Sequence, residues 1–380
     1  MIAKKSVSGI SECFGCGVCS SACGKNTISI RLNRDGFYQP VVNESKCIQC
    51  GTCMDVCAFI HEKLAIHNKP LKSWAAWSND EIVRKKCSSG GIGFEIGKQL
   101  IEKGYKAVGC RYDVKEQRAE HYIATTVEEF VQSIGSKYIQ SYTEVAFKQI
   151  KRKDDKYLIT GTPCQIDSFR RMIQKFHCEN NFILMDFFCH CIPSMWAWKA
   201  YIKMLEPRIG EVTYASWRNK FEYGWHDNWL MYLEGGKSFI KSRRSQGDLF
   251  YKLFLGDICL GPQCQKKCKY KYDKSSADIR IGDFWGETYK DNEEGVSAIV
   301  AFTEKGRELI GELQGVTLIE HPFEIVAEGQ MKENAKPALL RTFIVYFLGK
   351  GVGLNSILFK TVFNIQRFIN VVKVRLKKNR

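Results

Sequence analysis

The sequence lacks the long apolar runs that place a chain across a membrane. A spanning helix needs roughly eighteen uninterrupted apolar residues, and the longest candidate run, Phe343 to Leu348, is far shorter. The first ten residues, MIAKKSVSGI, also lack the apolar core of a secretory signal peptide. We therefore expect a cytoplasmic protein whose cysteines stay reduced.

Two recognition motifs are missing as well. No G-x-G-x-x-G run marks a dinucleotide loop, and no interleaved pattern of basic and aromatic residues indicates base readout, so we expect no nucleic-acid partner. Lys and Arg total 57 against 41 Asp and Glu, which gives a net charge of +16. Such a charge favours an acidic electron carrier, a phosphorylated cofactor or an anionic membrane as partner.

Cysteine, in contrast, is abundant, and eight of the 17 cysteines form two copies of the pattern C-x2-C-x2-C-x3-C. This is the spacing of bacterial ferredoxins, in which the fourth cysteine of each run binds the cluster of the other run. The pattern predicts one [4Fe-4S] cluster on Cys13, Cys16, Cys19 and Cys57. It predicts a second cluster on Cys47, Cys50, Cys53 and Cys23.

Zinc and disulfides explain this pattern less well. A tetrahedral zinc site uses two pairs of ligands and leaves the third cysteine of each run without a role. Disulfides require an oxidising compartment. One departure from the ferredoxin pattern is that Gly24 and Ala58 stand where proline commonly follows the fourth cysteine.

After about Trp74 the sequence alternates between apolar runs and helical patterns, which predicts an α/β or α+β body with a β-rich stretch near residues 211–241. We assign a ferredoxin module to residues 1–68, two body segments to 72–155 and 156–332, and a tail to 333–380. The predicted strands are Lys106–Tyr112, Tyr157–Thr160, Phe182–Cys189 and Asp278–Ile281. The predicted helices are Ile92–Glu102, Glu144–Lys151, Gln165–Lys175 and Met195–Leu205.

Two loops of small residues precede predicted helices, where backbone N–H groups attract phosphate. By pattern alone, each loop is also compatible with an ordinary tight turn. The loops consist of Ser88, Ser89, Gly90 and Gly91, and of Gly161, Thr162, Pro163, Cys164 and Gln165.

The nine cysteines outside the module suggest a third metal site. We expect Cys110 and Cys178 to be ordinary buried cysteines. The candidate ligands are Cys164, Cys189, Cys264 and Cys268, with Cys191 or Cys259 as substitutes.

The tail has a helical pattern of apolar residues and a basic end. This predicts a helix that packs on the body or on a partner, or one that contacts an anionic membrane at the inner face. The apolar positions are Leu358, Val362, Ile365, Ile369, Val372 and Leu376. The basic positions are Lys373, Arg375, Lys377, Lys378 and Arg380.

Several blocks of sequence resemble a known family. They include KKCSSGGIGFEIGKQLIEKG near residue 90, GSKYIQS, GTPCQI, DFFCHCIPS, SWRNKFEYGWHD, LGPQCQKKCKY and ADIRIGDFWG. In this order they are similar to the coenzyme F420 hydrogenase/dehydrogenase beta-subunit family, and the resemblance runs to about Lys332. The chain departs from the family pattern at CHC, where CHG is usual, and at Cys264-x3-Cys268, where C-x2-C is usual.

The resemblance implies an iron–sulfur flavoprotein oxidoreductase that contains FAD and couples two-electron flavin chemistry to one-electron transfer. It implies FAD binding by the two small-residue loops together with Ser136, Lys137 and Tyr138. It also favours the third cluster. His190, which stands between two cysteines, is a candidate catalytic proton donor to substrate or flavin, or a residue that hydrogen-bonds the local backbone or a cluster sulfur.

Substrate and electron partner stay open at this point. F420-dependent relatives imply coenzyme F420 as substrate and a partner oxidoreductase subunit. Relatives in anaerobic bacteria that accompany capsule or exopolysaccharide genes imply a ferredoxin-dependent reductase in polysaccharide biosynthesis. A non-catalytic electron-transfer subunit is the remaining alternative.

Overall fold

A computed structural model describes residues 5–365. The strands are β1 (Ile28–Leu32), β2 (Tyr38–Val42), β3 (Lys72–Ser78), β4 (Lys106–Asp113), β5 (Arg118–Ala124), β6 (Ser141–Tyr142), β7 (Tyr157–Thr160), β8 (Phe182–Phe187), β9 (Val212–Ser216), β10 (Leu230–Gly235), β11 (Phe239–Arg243), β12 (Ile279–Asp283), β13 (Ser297–Ala301) and β14 (Val316–Glu320). The helices are α1 (Val18–Ala22), α2 (Thr52–Asp55), α3 (Glu81–Lys86), α4 (Ile92–Glu102), α5 (Val127–Phe130), α6 (Glu144–Gln149), α7 (Pro163–Lys175), α8 (Met195–Ile209), α9 (Leu249–Leu255), α10 (Pro262–Lys266), α11 (Glu304–Gly311), α12 (Phe323–Val326) and α13 (Arg341–Gly349).

The centre of the body is a mixed sheet. Within residues 5–365 it has nine strands in the order β14-β3-β13-β12-β8-β7-β4-β5-β6. Strands β12, β8, β7 and β4 are parallel to one another, and antiparallel strands flank them on both sides. Strands from both predicted body segments share this sheet. The coarse prediction of a mixed α/β body is confirmed.

Strands β7 and β8 are almost continuously buried, as expected for parallel strands covered on both faces. The bounds of β7 and α4 agree with the sequence prediction. Strand β8 stops at Phe187, before the predicted end, because its pairing with β12 reaches no further. Helix α7 starts at Pro163, two residues early, since proline is favoured in the first turn of a helix.

The carboxyl ends of the parallel strands meet at one edge of the sheet. The loop after β7 leads into α7, and the loop after β8 carries the C-H-C sequence. Strand β12 ends at the same edge with Asp283. Open α/β sheets bind their ligands at such an edge. The predicted β-rich stretch forms a separate antiparallel sheet, β11-β10-β9, which packs beside this region.

The N-terminal module packs on helix α7 through α1 and α2. Its connection to the body converges on the carboxylate of Asp167, which is fully buried. This carboxylate accepts hydrogen bonds from Ala65 N at 2.7 Å, Ser276 Oγ at 2.5 Å and Tyr270 Oη at 3.0 Å. The residues that leave the module are therefore tied to α7 and to the segment before β12.

The described part of the tail packs on the body. Residues 357–365 are helical, and Phe359 and Val362 are buried in the same apolar cluster as α8. Ile365 is exposed. Leu358 is partly buried. The predicted positions Ile369, Val372 and Leu376, and with them the basic end, lie outside the described residues. Among residues 5–365 no helix is both long and apolar enough to cross a bilayer.

Replacing Asp167 by alanine is expected to lower the free energy of unfolding by on the order of 3 kcal/mol, because two buried hydroxyls and the partly buried Ala65 N–H lose their acceptor. Urea unfolding of the anaerobically purified protein, followed by tryptophan fluorescence, measures this loss. Asp55→Ala is the control, since it removes an exposed ion pair between the module and Lys175 of α7. We expect that control to cost less than about 1 kcal/mol. Equal losses in the two variants would contradict the buried-network interpretation.

Candidate functional site

Four thiols of the module form what we call the inner group: Cys13, Cys16, Cys19 and Cys57. Cys16 Sγ of this group lies 3.3 Å from Ser168 Oγ of α7. Burial raises the pKa of Cys13 to about 12, and the charges of Cys16 and Cys57 contribute to the rise. Burial also raises the pKa of Cys19, with contributions from the other three and from Cys53 of the second run. Nearby like charges disfavour ionisation in this way.

The other four thiols form an outer group: Cys23, Cys47, Cys50 and Cys53. Burial raises the pKa of Cys53, and the charges of Cys23, Cys47 and Cys50 add to this rise. Cys50 is exposed, so this group reaches the surface. The structure thus brings Cys23 to the second run and Cys57 to the first.

The two runs share a local geometry that depends on glycine. Gly17 and Gly51 precede α1 and α2 with φ angles of 77° and 79°. This left-handed backbone is disfavoured for residues with a Cβ atom. At Gly17 a Cβ would also lie 2.0 Å from Thr143 Oγ1.

Five thiols of the body form a third group: Cys164, Cys189, Cys191, Cys264 and Cys268. Burial raises the pKa of Cys164, and the charges of Cys189, Cys16 and Cys268 add to it. The Cys191 and Cys264 thiols interact, which lowers the pKa of Cys191 and raises that of Cys264. Cys164 and Cys268 pack against an apolar cluster that includes Phe14 and Ala58 of the module, so the third group adjoins the inner group.

Cys259 does not belong to the third group. Its thiol is fully buried and donates to the carbonyl oxygen of Leu253 at 3.6 Å. The Cys178 thiol likewise donates to Ile173 O at 3.6 Å. Cys110, predicted as an ordinary buried cysteine, instead lines the cavity described below.

The cysteine spacing of each run matches the ligand set of a [4Fe-4S] cluster. Among residues 5–365 no three Cys, His, Asp or Glu side chains are placed to hold one metal ion. Tetrahedral zinc would need four ligands within about 2.3 Å of one atom, whereas each thiolate of a cubane binds its own iron. Hydroxyl groups also accompany the sulfurs: Thr27 lies 3.3 Å from Cys23 Sγ and Thr52 lies 3.4 Å from Cys50 Sγ.

A cavity of about 500 Å³ opens at the carboxyl edge of the sheet. This volume lies within the usual range for cofactor and ligand pockets. All five thiols of the third group line it. So do most of the predicted cofactor-binding residues: Ser88, Ser89, Gly91, Ser136, Lys137, Tyr138, Gly161, Thr162, Pro163 and Gln165.

Gly90 is the exception among the predicted cofactor-binding residues, because it does not line the cavity. Its N–H donates to Ser297 Oγ at 3.0 Å, and a Cβ there would meet Ala76 O at 2.3 Å. The glycine is therefore required for close packing of the loop against β3 and β13. Gly91, with a φ of 89°, provides the turn into α4.

Helices α4 and α7 begin at the cavity wall. Residues at both N-termini line the cavity, and the two helices have 11 and 13 residues. At α7 a capping box between Thr162 and Gln165 occupies backbone N–H groups and Pro163 has none, so this end contributes mainly its helix dipole. Both ends favour negatively charged groups. The arrangement fits a cofactor that carries phosphate.

Buried cations hold the loops of the cavity in place. The Lys137 ammonium group donates to the carbonyl oxygens of Gln132, Ser133 and Ile134 at 2.9–3.1 Å. Burial lowers the pKa of Lys137 to about 8. Its role in the fold is thus to close the loop between residues 132 and 138, while its charge stays beside the cavity.

Arg218 performs a similar task on the opposite loop. Its guanidinium group donates to both carboxylate oxygens of Asp283, at 2.8 and 2.9 Å, and to Ser88 O at 3.1 Å. Lys220 donates to three further carbonyl oxygens, including that of Ser89, at 2.6 Å. The Ser88–Ser89 loop is therefore fixed before any ligand binds.

Two histidines line the cavity. His190 Nε2 lies 2.9 Å from Asp257 Oδ1, and its Nδ1 lies 3.0 Å from Met331 Sδ. His121 is buried, and its Nε2 must donate to the carbonyl oxygen of Thr160, at 3.0 Å. Its Nδ1 is then an acceptor, and it has no partner. Burial lowers the pKa of His121 to about 4, so the ring is neutral near pH 7.

Sequence reasoning missed His121, Asp257 and the buried face of α7. That face consists of Cys164, Asp167, Ser168 and Arg171, which follow the i, i+3, i+4, i+7 spacing of one helix side. Polar residues at this spacing normally form an exposed helix face. Their position beside an apolar face could have indicated a buried polar contact. His121 left no such signal, because its significance depends on which strands neighbour β5.

Three family models match the chain. A 4Fe-4S dicluster domain matches residues 12–59. The N-terminal model of the coenzyme F420 hydrogenase/dehydrogenase beta subunit matches residues 73–147, and its C-terminal model matches residues 154–321. No curated protein matches the chain.

Solved structures also match, among them a chain of the F420-reducing [NiFe] hydrogenase complex from Methanosarcina barkeri, determined in a study of xenon derivatization. The sequence identity is 17% and the TM-score is 0.42. The alignment covers 77% of this chain and 91% of that chain.

The crossed grouping of the thiols predicts the effect of Cys23→Ser. Although Cys23 belongs to the first run, this variant is expected to lose the outer cluster, about four iron atoms per chain, and to keep the inner one. Iron and sulfide quantitation with low-temperature EPR of the anaerobically purified protein tests this. Cys178→Ser, which removes a buried thiol outside the groups, should keep all iron. Loss of the inner cluster instead would contradict the grouping.

Proposed function

Because the chain belongs to the coenzyme F420 hydrogenase/dehydrogenase beta-subunit family, we propose that it is an iron–sulfur flavoprotein oxidoreductase. The observation that carries the proposal is the order of the thiol groups. The outer group reaches the surface, the inner group adjoins the third group, and the third group lines the cavity. This order describes a route for single electrons from the surface to a bound ligand.

FAD is the cofactor that we propose for the cavity. A flavin exchanges electron pairs with substrates and single electrons with clusters, which is the chemistry a cavity beside thiol-bound clusters needs. The Ser88–Gly91 loop and the Gly161–Gln165 loop would hold its phosphates at the N-termini of α4 and α7. The unpartnered His121 Nδ1 offers an acceptor for an N–H or O–H group of the cofactor.

The residues of the third group complete the route. Thr162 Oγ1 lies 3.1 Å from Cys164 Sγ, so a hydroxyl group supports this thiolate as well. Lys271 donates to the carbonyl oxygens of Cys189 and His190 at 2.6 and 2.5 Å, which fixes the C-H-C loop. Cys164, Cys189, Cys264 and Cys268 are the ligands that we propose for a third cluster.

His190 is the proton donor that we propose for the cavity. Its ring is oriented by Asp257, as in other sites where a carboxylate fixes a histidine tautomer. The pair lies beside the third group and on the cavity wall. A proton can thus accompany electrons that arrive through the clusters.

The partner that we propose at the outer group is a ferredoxin-like electron carrier or a partner oxidoreductase subunit. Cys50 is exposed, and the neighbouring Ile48 is 63% exposed, so a docked carrier would approach the outer cluster directly. Lys25 and Lys46 are exposed at the same two runs and would favour an acidic partner.

Anaerobic purification with iron, sulfide and flavin quantitation is the first test. About twelve iron atoms and one FAD per chain are expected for three clusters. Reduction is then tested separately with F420H2 and with reduced ferredoxin while the flavin absorption band is followed. Fast bleaching by F420H2 identifies a deazaflavin-linked enzyme, and bleaching by ferredoxin alone identifies a ferredoxin-dependent reductase.

Two outcomes of this experiment contradict parts of the proposal. About eight iron atoms would restrict the clusters to the module. Absence of flavin, even after reconstitution with FAD, would reduce the protein to an electron-transfer subunit without chemistry in the cavity.

Lys137 predicts a pH dependence of the flavin midpoint potential. The ammonium group is protonated below about pH 8 and then stabilises the negative charge gained on reduction. As pH rises through 8 this charge is lost. Over that pH range the flavin midpoint of the unaltered protein should therefore fall by roughly 30 mV more than the midpoint of Lys137→Gln. For two electrons this difference is equivalent to roughly 1.4 kcal/mol. Lys137→Arg should not show this extra fall, because arginine stays charged. Spectroelectrochemistry between pH 6.5 and 9.5 measures it, and identical profiles for all three proteins would refute the role.

A further inference from the structure

Helix α7 contacts two thiol groups through one of its faces. Cys164, in its first turn, belongs to the third group, and Ser168 lies one turn later on the same side. The hydroxyl oxygen of Ser168 lies 3.3 Å from Cys16 Sγ of the inner group. A single rigid helix therefore sets the separation between the inner and the third group.

The hydrogen bonds of Ser168 have a fixed direction. Its oxygen accepts the backbone N–H of Ala58 at 3.0 Å. Once metal is bound, Cys16 is a thiolate and can only accept. The hydroxyl proton of Ser168 is thus directed at the sulfur. Ser168 is fully buried, so water does not compete for this bond.

Ala58 makes this arrangement possible. It follows Cys57, at the position where the ferredoxin pattern commonly has proline. Proline has no N–H group and could not hold the serine oxygen. Gly24, at the end of the first run, departs from the pattern in the same way, but it is exposed, and within residues 5–365 nothing lies within 4 Å of where its Cβ would be.

We infer that Ser168 is a positioning residue that raises the midpoint potential of the inner cluster through its hydrogen bond to Cys16; this inference rests on the proposed function. Hydrogen bonds to ligand sulfurs and exposure to solvent stabilise the reduced cluster, which carries more negative charge. The outer group has the hydroxyls of Thr27 and Thr52 and is open to solvent. In the inner group Cys19 is buried and Cys13, Cys16 and Cys57 are partly buried, and Ser168 supplies a hydroxyl to this less exposed group.

Ser168→Ala tests the inference by EPR-monitored redox titration of the anaerobically purified full chain. The midpoint of the inner cluster should shift to more negative potential, and that of the outer cluster should stay unchanged. The Cys23→Ser variant identifies the outer signal. Ser20→Ala is the matched control, since Ser20 is buried beside Cys19 but donates to Ile28 O at 2.7 Å and not to a sulfur.

The pair Ser168→Thr and Ser168→Val provides the same test if the alanine variant loses iron. Threonine and valine side chains have the same shape, but only threonine keeps a hydroxyl. The inner midpoint should therefore shift in Ser168→Val and not in Ser168→Thr. An inner midpoint that is equal in threonine and valine variants, or that moves as much in Ser20→Ala, would overturn the role of Ser168. If the unaltered protein contains no iron, the proposed function itself is contradicted. That result differs from an unshifted midpoint in the variants, so a failure of the proposed function can be told from a failure of the Ser168 inference.

Discussion

The contact between helix α7 and the N-terminal module is the interaction on which the rest of the structure depends. Electrons can cross a protein only where successive redox groups lie close together and at fixed distances. The module and the body meet through buried hydrogen bonds to Asp167 and Ser168, not through a flexible linker. The same helix begins at the cavity, so one helix fixes the relative positions of the module, the third thiol group and the cavity.

Positive charge inside the protein serves mainly to organise loops. Lys137 and Lys220 each donate to three backbone carbonyl oxygens, and Lys271 donates to two. Carbonyl groups in loops have no partner from a helix or sheet, and leaving them unpaired in the interior is costly. Part of the net charge of +16 is therefore structural, which means that charge counted from the sequence overstates what the surface offers to a partner.

The sequence was most informative where chemistry is local. The cysteine spacing within each run, the ends of β7 and α4, and the mixed α/β alternation depend on neighbouring residues, and the structure agrees with the elements and the fold class predicted from them. The third thiol group contains residues from three distant segments of the chain. Cysteine spacing could suggest candidates for this group, but it could not show that Cys191 belongs to it and Cys259 does not. Gly90 and His121 show the same limit, because their surroundings are made by strands far away in the sequence.

The hydrogen bonds to Asp167 limit how the N-terminal module of this chain can be exchanged. A ferredoxin that is joined only by a flexible linker can be exchanged for another, because no contact with the rest of the protein has to be kept. Here the residues that leave the module end on a carboxylate of the body. Replacing the module with a foreign ferredoxin would remove the Ala65 N–H, while Tyr270 and Ser276 of the body would still donate to Asp167. A substitute module must therefore supply a backbone N–H at this position.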